Sequence, residues 1–189
     1  MVLRLGLFYI WKCFDPLYYY CTRLTSLAKR YPNHHNILRV RTTCYKGCEA
    51  VLSDGTAIKR NDILIKIHLH NVQILKETKH FANELQKGKW IYRSVERSLP
   101  ELVTFIKEHD KCDEIKGIIG ITTLNRGSGR LGFETIEISS RFYKWFKWFI
   151  QFPILYLTTA NLSWKDSFRH KPNYLFMSKA ALFEKYSKS

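Results

Sequence analysis

The sequence predicts an α+β fold: one domain with a mixed or antiparallel β-sheet, flanking helices and an N-terminal helical segment. Three observations predict it. A chain of 189 residues suits one substantial core. A composition of 46% hydrophobic and 25% charged residues is that of a folded globular chain. The apolar period changes from helical to two near Ile37 and returns to helical after Asn71. Residues 1–32 are expected to form a helical segment of the same domain, and residues 33–189 its α+β body.

In the first segment Leu3, Leu7, Ile10, Trp11 and Phe14 recur at helical spacing, and Asp15-Pro16 restarts a helix, so a broken helical segment is expected over 3–30. Pro32 and the polar run 33–36 end it. Residues 37–45 read as a strand, and Asp54-Gly55 as the turn of a hairpin joining 50–52 to 56–58. With a last strand at 63–69 these form a predicted meander. In that strand Ile63, Ile65, Ile67 and Leu69 share one face, while Lys66, His68 and His70 share the other.

Asn71 is an expected N-cap for a helix carrying Val72, Leu75, Phe81 and Leu85, with Gly88 as its C-terminal glycine. Ser98 and Glu101 form an expected capping box for the main part of a second helix, which ends before His109. Strands follow at 115–124 and 133–138, then a helix from Ser140 that Pro153 interrupts. A short strand at 173–177 precedes a last helix capped by Ser178 and running through Tyr186.

Charge points outward from the fold toward a partner. Lys and Arg total 31 against 16 acidic residues, a formal net charge of +15, which favours phosphate-rich partners. No acidic residue lies between Asp15 and Glu49, or between Glu137 and Asp166. Within the second window Phe142, Trp145, Phe146 and Phe149 fall on one side of a helix and Arg141, Lys144 and Lys147 on another, with Trp148 among the basic positions. Such a helix suits a lipid headgroup layer, and the same pattern suits packing on a sheet with a solvated basic face. Arg141, Lys144, Trp145, Lys147 and Trp148 are the candidate anion-binding residues.

Five cysteines, Cys13, Cys21, Cys44, Cys48 and Cys112, are an odd number, and the opening run 5–11 is too short and aromatic for a signal-peptide core. A reduced, cytoplasmic setting is expected, with attachment at the inner membrane face. The run 148–157 holds Gln151 and Pro153 and reaches about half of the roughly 20 residues a span requires.

The catalytic motifs are weak. Gly127, Gly129 and Gly132 match G-x-G-x-x-G, yet the spacing leads into a strand rather than a helix and no ribose-binding acid follows, so a glycine-rich loop or a short helix ended by Gly132 is the better reading. His68 and His70 sit two apart on a strand, as metal-binding or acid–base pairs do, but Lys66 shares their face and repels a cation. Asp62 and His80 are the nearest further ligands, and the expectation is no metal and no cofactor. Cys44 and Cys48 lack a second ligand pair and read as structural thiols.

Three stretches carry a resemblance to a known family: residues 51–55 leading to 61–71, then Ser98-Leu99-Pro100-Glu101-Leu102, then Gly120-Ile121-Thr122 with residues 130–134. Together they resemble the YkoP-like family of bacilli, a domain also found attached to polysaccharide deacetylases. Its members often have Gly-Asp where this chain has Asn61-Asp62. The resemblance implies a bacterial origin and a place in cell-envelope or spore physiology, and no reaction comes with it. Asp62, His68, Asn71, Thr122 and Arg130 are the polar residues of the matching motifs, and with His70 they are the candidate catalytic residues. Capping by Asn71, a turn held by Asp62 and helix termination by Gly132 are the architectural alternatives. The expected function is that of a non-catalytic or accessory factor on the anionic membrane surface. An enzyme of envelope or sugar metabolism using the His68/His70 strand, or a nucleic-acid-binding protein, are the alternatives.

Overall fold

The β-branched runs that predict strands pair across the chain rather than with their nearest neighbours. The computed structural model describes residues 24–31, 36–81, 83–122, 127–138, 145 and 173–187. Strand β1 (Thr25–Ser26) leads into a single turn of helix, α1 (Leu27–Arg30). Strand β2 (Leu38–Cys44) pairs antiparallel with β5 (Ile63–Leu69) along its whole length. Strand β6 (Ile115–Thr122) lies parallel to β5, and β8 (Asn173–Ser178) lies antiparallel between β6 and β7 (Glu134–Glu137). The six-stranded order is β1-β2-β5-β6-β8-β7. A parallel β5/β6 pair needs a long crossover. Helices α2 (Asn71–Thr78) and α3 (Glu84–Lys107) supply it.

The main core lies between one sheet face and the helices. Val40, Ile65, Ile118 and Met177 from the sheet meet Leu99, Leu102 and Ile106 of α3 and Leu182 of α4 (Lys179–Tyr186). The alternation expected for β5 holds: Ile65 is fully buried in this core, with Ile63, Ile67 and Leu69 packed against it. Ser178 caps α4 as the spacing predicts, its Oγ accepting from Ala181 N at 2.9 Å.

Strands β3 (Ala50–Val51) and β4 (Ala57–Ile58) form the hairpin predicted at Asp54-Gly55. Gly55 takes φ +82, and Gly55 N donates to Leu52 O, giving the left-handed position that a three-residue hairpin loop needs. This hairpin is a separate two-stranded sheet, which corrects the predicted meander. Its Leu52 and Ile58 pack with Tyr45, Leu64, Ile119 and Phe176 on the sheet face away from the helices, forming a second core. Burial of those two side chains, roughly 1.5–3 kcal/mol each, favours docking on the face over insertion between β2 and β5. Ser53 secures the tip: its N and Oγ both donate to the Glu134 carboxylate of β7, at 2.8–3.0 Å.

Three further expectations are corrected. Residues 25–26, inside the expected helical segment 3–30, pair as a strand with Arg39 and Val40. Gly88 does not end a helix. It lies inside α3, which starts after Asn83, whose side chain accepts from Leu85 N at 2.8 Å. Ser98 and Glu101 do not cap, because α3 runs through them and through Pro100. Proline costs a helix interior about 3 kcal/mol, whereas fully burying Leu99, Leu102 and Ile106 gives about 1.5–3 kcal/mol each, so packing prevails. The carbonyl that Pro100 leaves without an N–H partner belongs to Glu96, an exposed residue within reach of water. Ser98 and Glu101 instead meet the start of β2. Ser98 Oγ accepts from Ile37 N at 3.3 Å and donates to Ser94 O, and the Glu101 carboxylate accepts from Asn36 Nδ2 at 2.6 Å.

Candidate anion-binding surface

The β2/β5 register assembles four basic or titratable side chains on one patch. Arg39 stands opposite His68, and Arg41 opposite Lys66. Their neighbours Leu38 and Val40 enter the main core and Leu64 enters the second, so strand alternation puts the four on the face away from the helices. The hairpin covers one end of that face with apolar groups, and the polar four occupy the other end. Arg39 is 8% exposed, and Arg41, Lys66 and His68 are half-buried. Arg guanidinium groups in partly buried positions bind oxyanions bidentately, and a neighbouring Lys and His add charge and a titratable donor. His68 and Lys66 stand out within one strand of the sequence, whereas Arg39 and Arg41, which alternate within 37–45, join them only through the β2/β5 register.

The remaining sequence candidates scatter. His70 lies beyond the end of β5, in the cap position of α2, and its Nδ1 is 3.0 Å from Gln73 Oε1. With Gln73 presenting its oxygen, His70 Nδ1 carries the proton. Asn71 is the first residue of α2 and makes no capping bond, which corrects the predicted N-cap. Asp62 holds a turn: its Oδ2 accepts from Lys59 N at 2.7 Å, and its N donates to Lys59 O. Asn61 beside it takes φ +74, a left-handed conformation that Asn and Gly tolerate best. Thr122 ends β6, paired with Asn173.

Arg130 lies exposed on a 3-10 turn, Ser128–Leu131, bracketed by Gly127 at φ +87 and Gly132 at φ +93. The glycine-rich segment is thus a turn between strands, as its lead into β7 predicts. Its carbonyls anchor α4, with Lys185 Nζ donating to Arg130 O at 2.6 Å and Tyr186 Oη to Leu131 O at 3.0 Å. Burial, with Glu96 and Tyr92 adding to it, pushes the Tyr186 phenol up to about 12. His109, after α3, accepts from Lys111 N at its Nδ1, so its Nε2 donates to Thr42 Oγ1 at 2.8 Å. Beside it the Tyr31 phenol, and then the Arg30 guanidinium, hold the Glu108 carboxyl below its ordinary value. Both contacts tie β2 and α1 to the end of α3.

Among the described residues no group of His, Cys, Asp and Glu has the geometry of a metal site, and no helix is long and apolar enough to cross a membrane. Cys44 and Cys48 are exposed free thiols, and Cys112 is a half-buried one. Of the predicted anion-binding helix, Arg141, Lys144, Lys147 and Trp148 lie outside the described residues. Trp145 is described, and 67% of its surface is exposed.

The chain matches the family model described as YkoP domain over residues 4–186. It is similar to a Bacillus subtilis (strain 168) protein called Uncharacterized protein YkoP, with 44% identity over 181 residues, 95% of this chain and 95% of that protein. No solved structure matches it.

Proposed function

We propose that this chain, which belongs to the YkoP domain family, is a non-catalytic accessory factor that attaches peripherally to the anionic inner membrane surface in an envelope- or spore-related process. The exposure of Trp145 carries the reading. Trp145 falls on the apolar side of the basic-aromatic pattern, and packing of that side on the sheet would bury it; instead 67% of its surface is open. A tryptophan in that position, with Arg141, Lys144 and Lys147 beside it in sequence, has the chemistry of the headgroup layer: an amphipathic ring flanked by cations. The net charge of +15 adds long-range attraction. Charge reversal at Lys144 and Lys147 is expected to weaken binding to anionic vesicles by about 1 kcal/mol per charge with folding unchanged. Equal binding by variant and parent would reject the segment as the contact.

One observation favours a second reading. The Arg39/His68 and Arg41/Lys66 pairs bring two guanidinium groups, an ammonium and an imidazole together, a set suited to a phosphate-bearing sugar and to proton transfer by His68. Thermal stabilisation by sugar phosphates that is lost in Arg41→Gln and Lys66→Gln would support this reading. Vesicle binding with no response to any phosphate ester would leave the accessory role.

A further inference from the structure

From the exposed face of α3 we infer a second contact with the anionic bilayer, formed by the folded body itself through Leu85, Lys89, Arg93 and Arg97. This inference rests on the membrane reading above. The four residues recur every fourth position and so fall along one ridge of the helix, which starts beside the buried row of Val95, Leu99, Val103 and Ile106 at Leu85 and winds away from it toward Arg97. From Lys89 to Arg97 the row covers just over two turns, about 12 Å at 1.5 Å per residue.

All four side chains are exposed. Among the described residues, the side chains of Lys89, Arg93 and Arg97 enter none of the ion pairs, hydrogen bonds or ring contacts, whereas cations elsewhere are engaged, as Arg30 is with Glu108, Lys59 with Glu49 and Lys111 with Glu114. Two described acids lie beside the row: Glu96, 3.5 Å from Tyr92 Oη, and Glu101, the next fourth position after Arg97, which is 9% exposed and accepts from Asn36 Nδ2. The row therefore carries net positive charge with its cationic heads in water.

Leu85 decides between polyanions. It opens the row, 63% exposed, one of three large hydrophobic side chains in that state among the described residues. An apolar group in line with three cations matches a headgroup layer, where the chain enters the acyl boundary and the cations remain at the phosphates. A nucleic-acid surface would place an aromatic platform there. A rigid helix anchored by its buried row holds the three charges along one ridge without further ordering.

Sedimentation with phosphatidylcholine vesicles containing phosphatidylserine at about 30 mol%, using the full chain, tests it. The variant Lys89→Gln/Arg93→Gln/Arg97→Gln is expected to bind on the order of 100-fold more weakly, from about fivefold per charge, with an unchanged melting temperature. Leu85→Ser is expected to lose about tenfold. If the parent binds and the triple variant binds equally, this surface is overturned while the peripheral role stands. If the parent binds no vesicle, both fall together. If the triple variant instead loses affinity only for duplex DNA, the row is a nucleic-acid contact and the lipid assignment is wrong.

Discussion

Asn36 offers the sharpest test of how the β2 strand is tied to α3. The side chain is 2% exposed; its Nδ2 donates to Glu101 Oε2 at 2.6 Å, and its Oδ1 accepts from Leu38 N at 2.7 Å. Asn36→Ala strands a buried amide N–H and removes one donor from a carboxylate that is 9% exposed. At about 1–3 kcal/mol per stranded group, the loss is expected to be about 3–5 kcal/mol, a large part of the 5–15 kcal/mol typical of a whole domain. Asn36→Asp keeps the acceptor for Leu38 N but sets a second carboxylate against Glu101, and its cost is expected to be similar. Adding Glu101→Gln restores a donor–acceptor pair with the polarity exchanged, so the double variant is expected to recover most of the stability. Urea unfolding with a shared m-value measures all four corners of this cycle. A loss below about 1 kcal/mol for Asn36→Ala, or no recovery in the double variant, would refute the clamp.

Other outcomes follow from the same structure. Ile65→Ala, at a fully buried site, is expected to cost about 2–5 kcal/mol in urea unfolding, and His68→Ala much less, because the two project from opposite faces of β5; equal costs would overturn the face assignment. Tyr186, raised from 10.0 to about 12 by burial, stays neutral in the fold while the unfolded chain ionises. Its contribution is therefore complete below pH 10 and falls away as pH rises toward about 12, by roughly 3 kcal/mol. Tyr186→Phe is expected to flatten that part of the stability–pH curve and to cost about 1 kcal/mol at neutral pH for the bond to Leu131 O. An unchanged curve would show that other groups titrate there.

Local chemistry was legible in the sequence where it decided the structure alone. The alternation over β5 marks Ile65 as core, Asp54-Gly55 marks the hairpin, and Ser178 marks the start of α4. Long-range pairing was not legible. Nothing local says that β2 passes over the hairpin to pair with β5, because that choice depends on Leu52 and Ile58 finding Tyr45 and Phe176 on the sheet face. Ser98 and Glu101 carry the letters of a capping box, but tertiary partners, Ile37 N and Asn36, take their side chains. Gly88 has the local character of a terminator, so the sequence divides α3 there and obscures the row from Leu85 to Arg97. The candidate site was half legible for a similar reason. His68 and Lys66 are visible within one strand, whereas Arg39 and Arg41 join them only through the register.

The central claim is that Trp145 meets a lipid headgroup layer, and its own emission reports that most directly. The chain has five tryptophans, and a variant with Trp11, Trp90, Trp148 and Trp164 changed to Phe leaves Trp145 as the sole reporter. On addition of phosphatidylserine-containing vesicles, its emission is expected to shift to the blue and to return on raising the salt, while phosphatidylcholine alone leaves it unchanged. Emission that stays at its aqueous position with both vesicles, while the variant remains folded, would contradict the account.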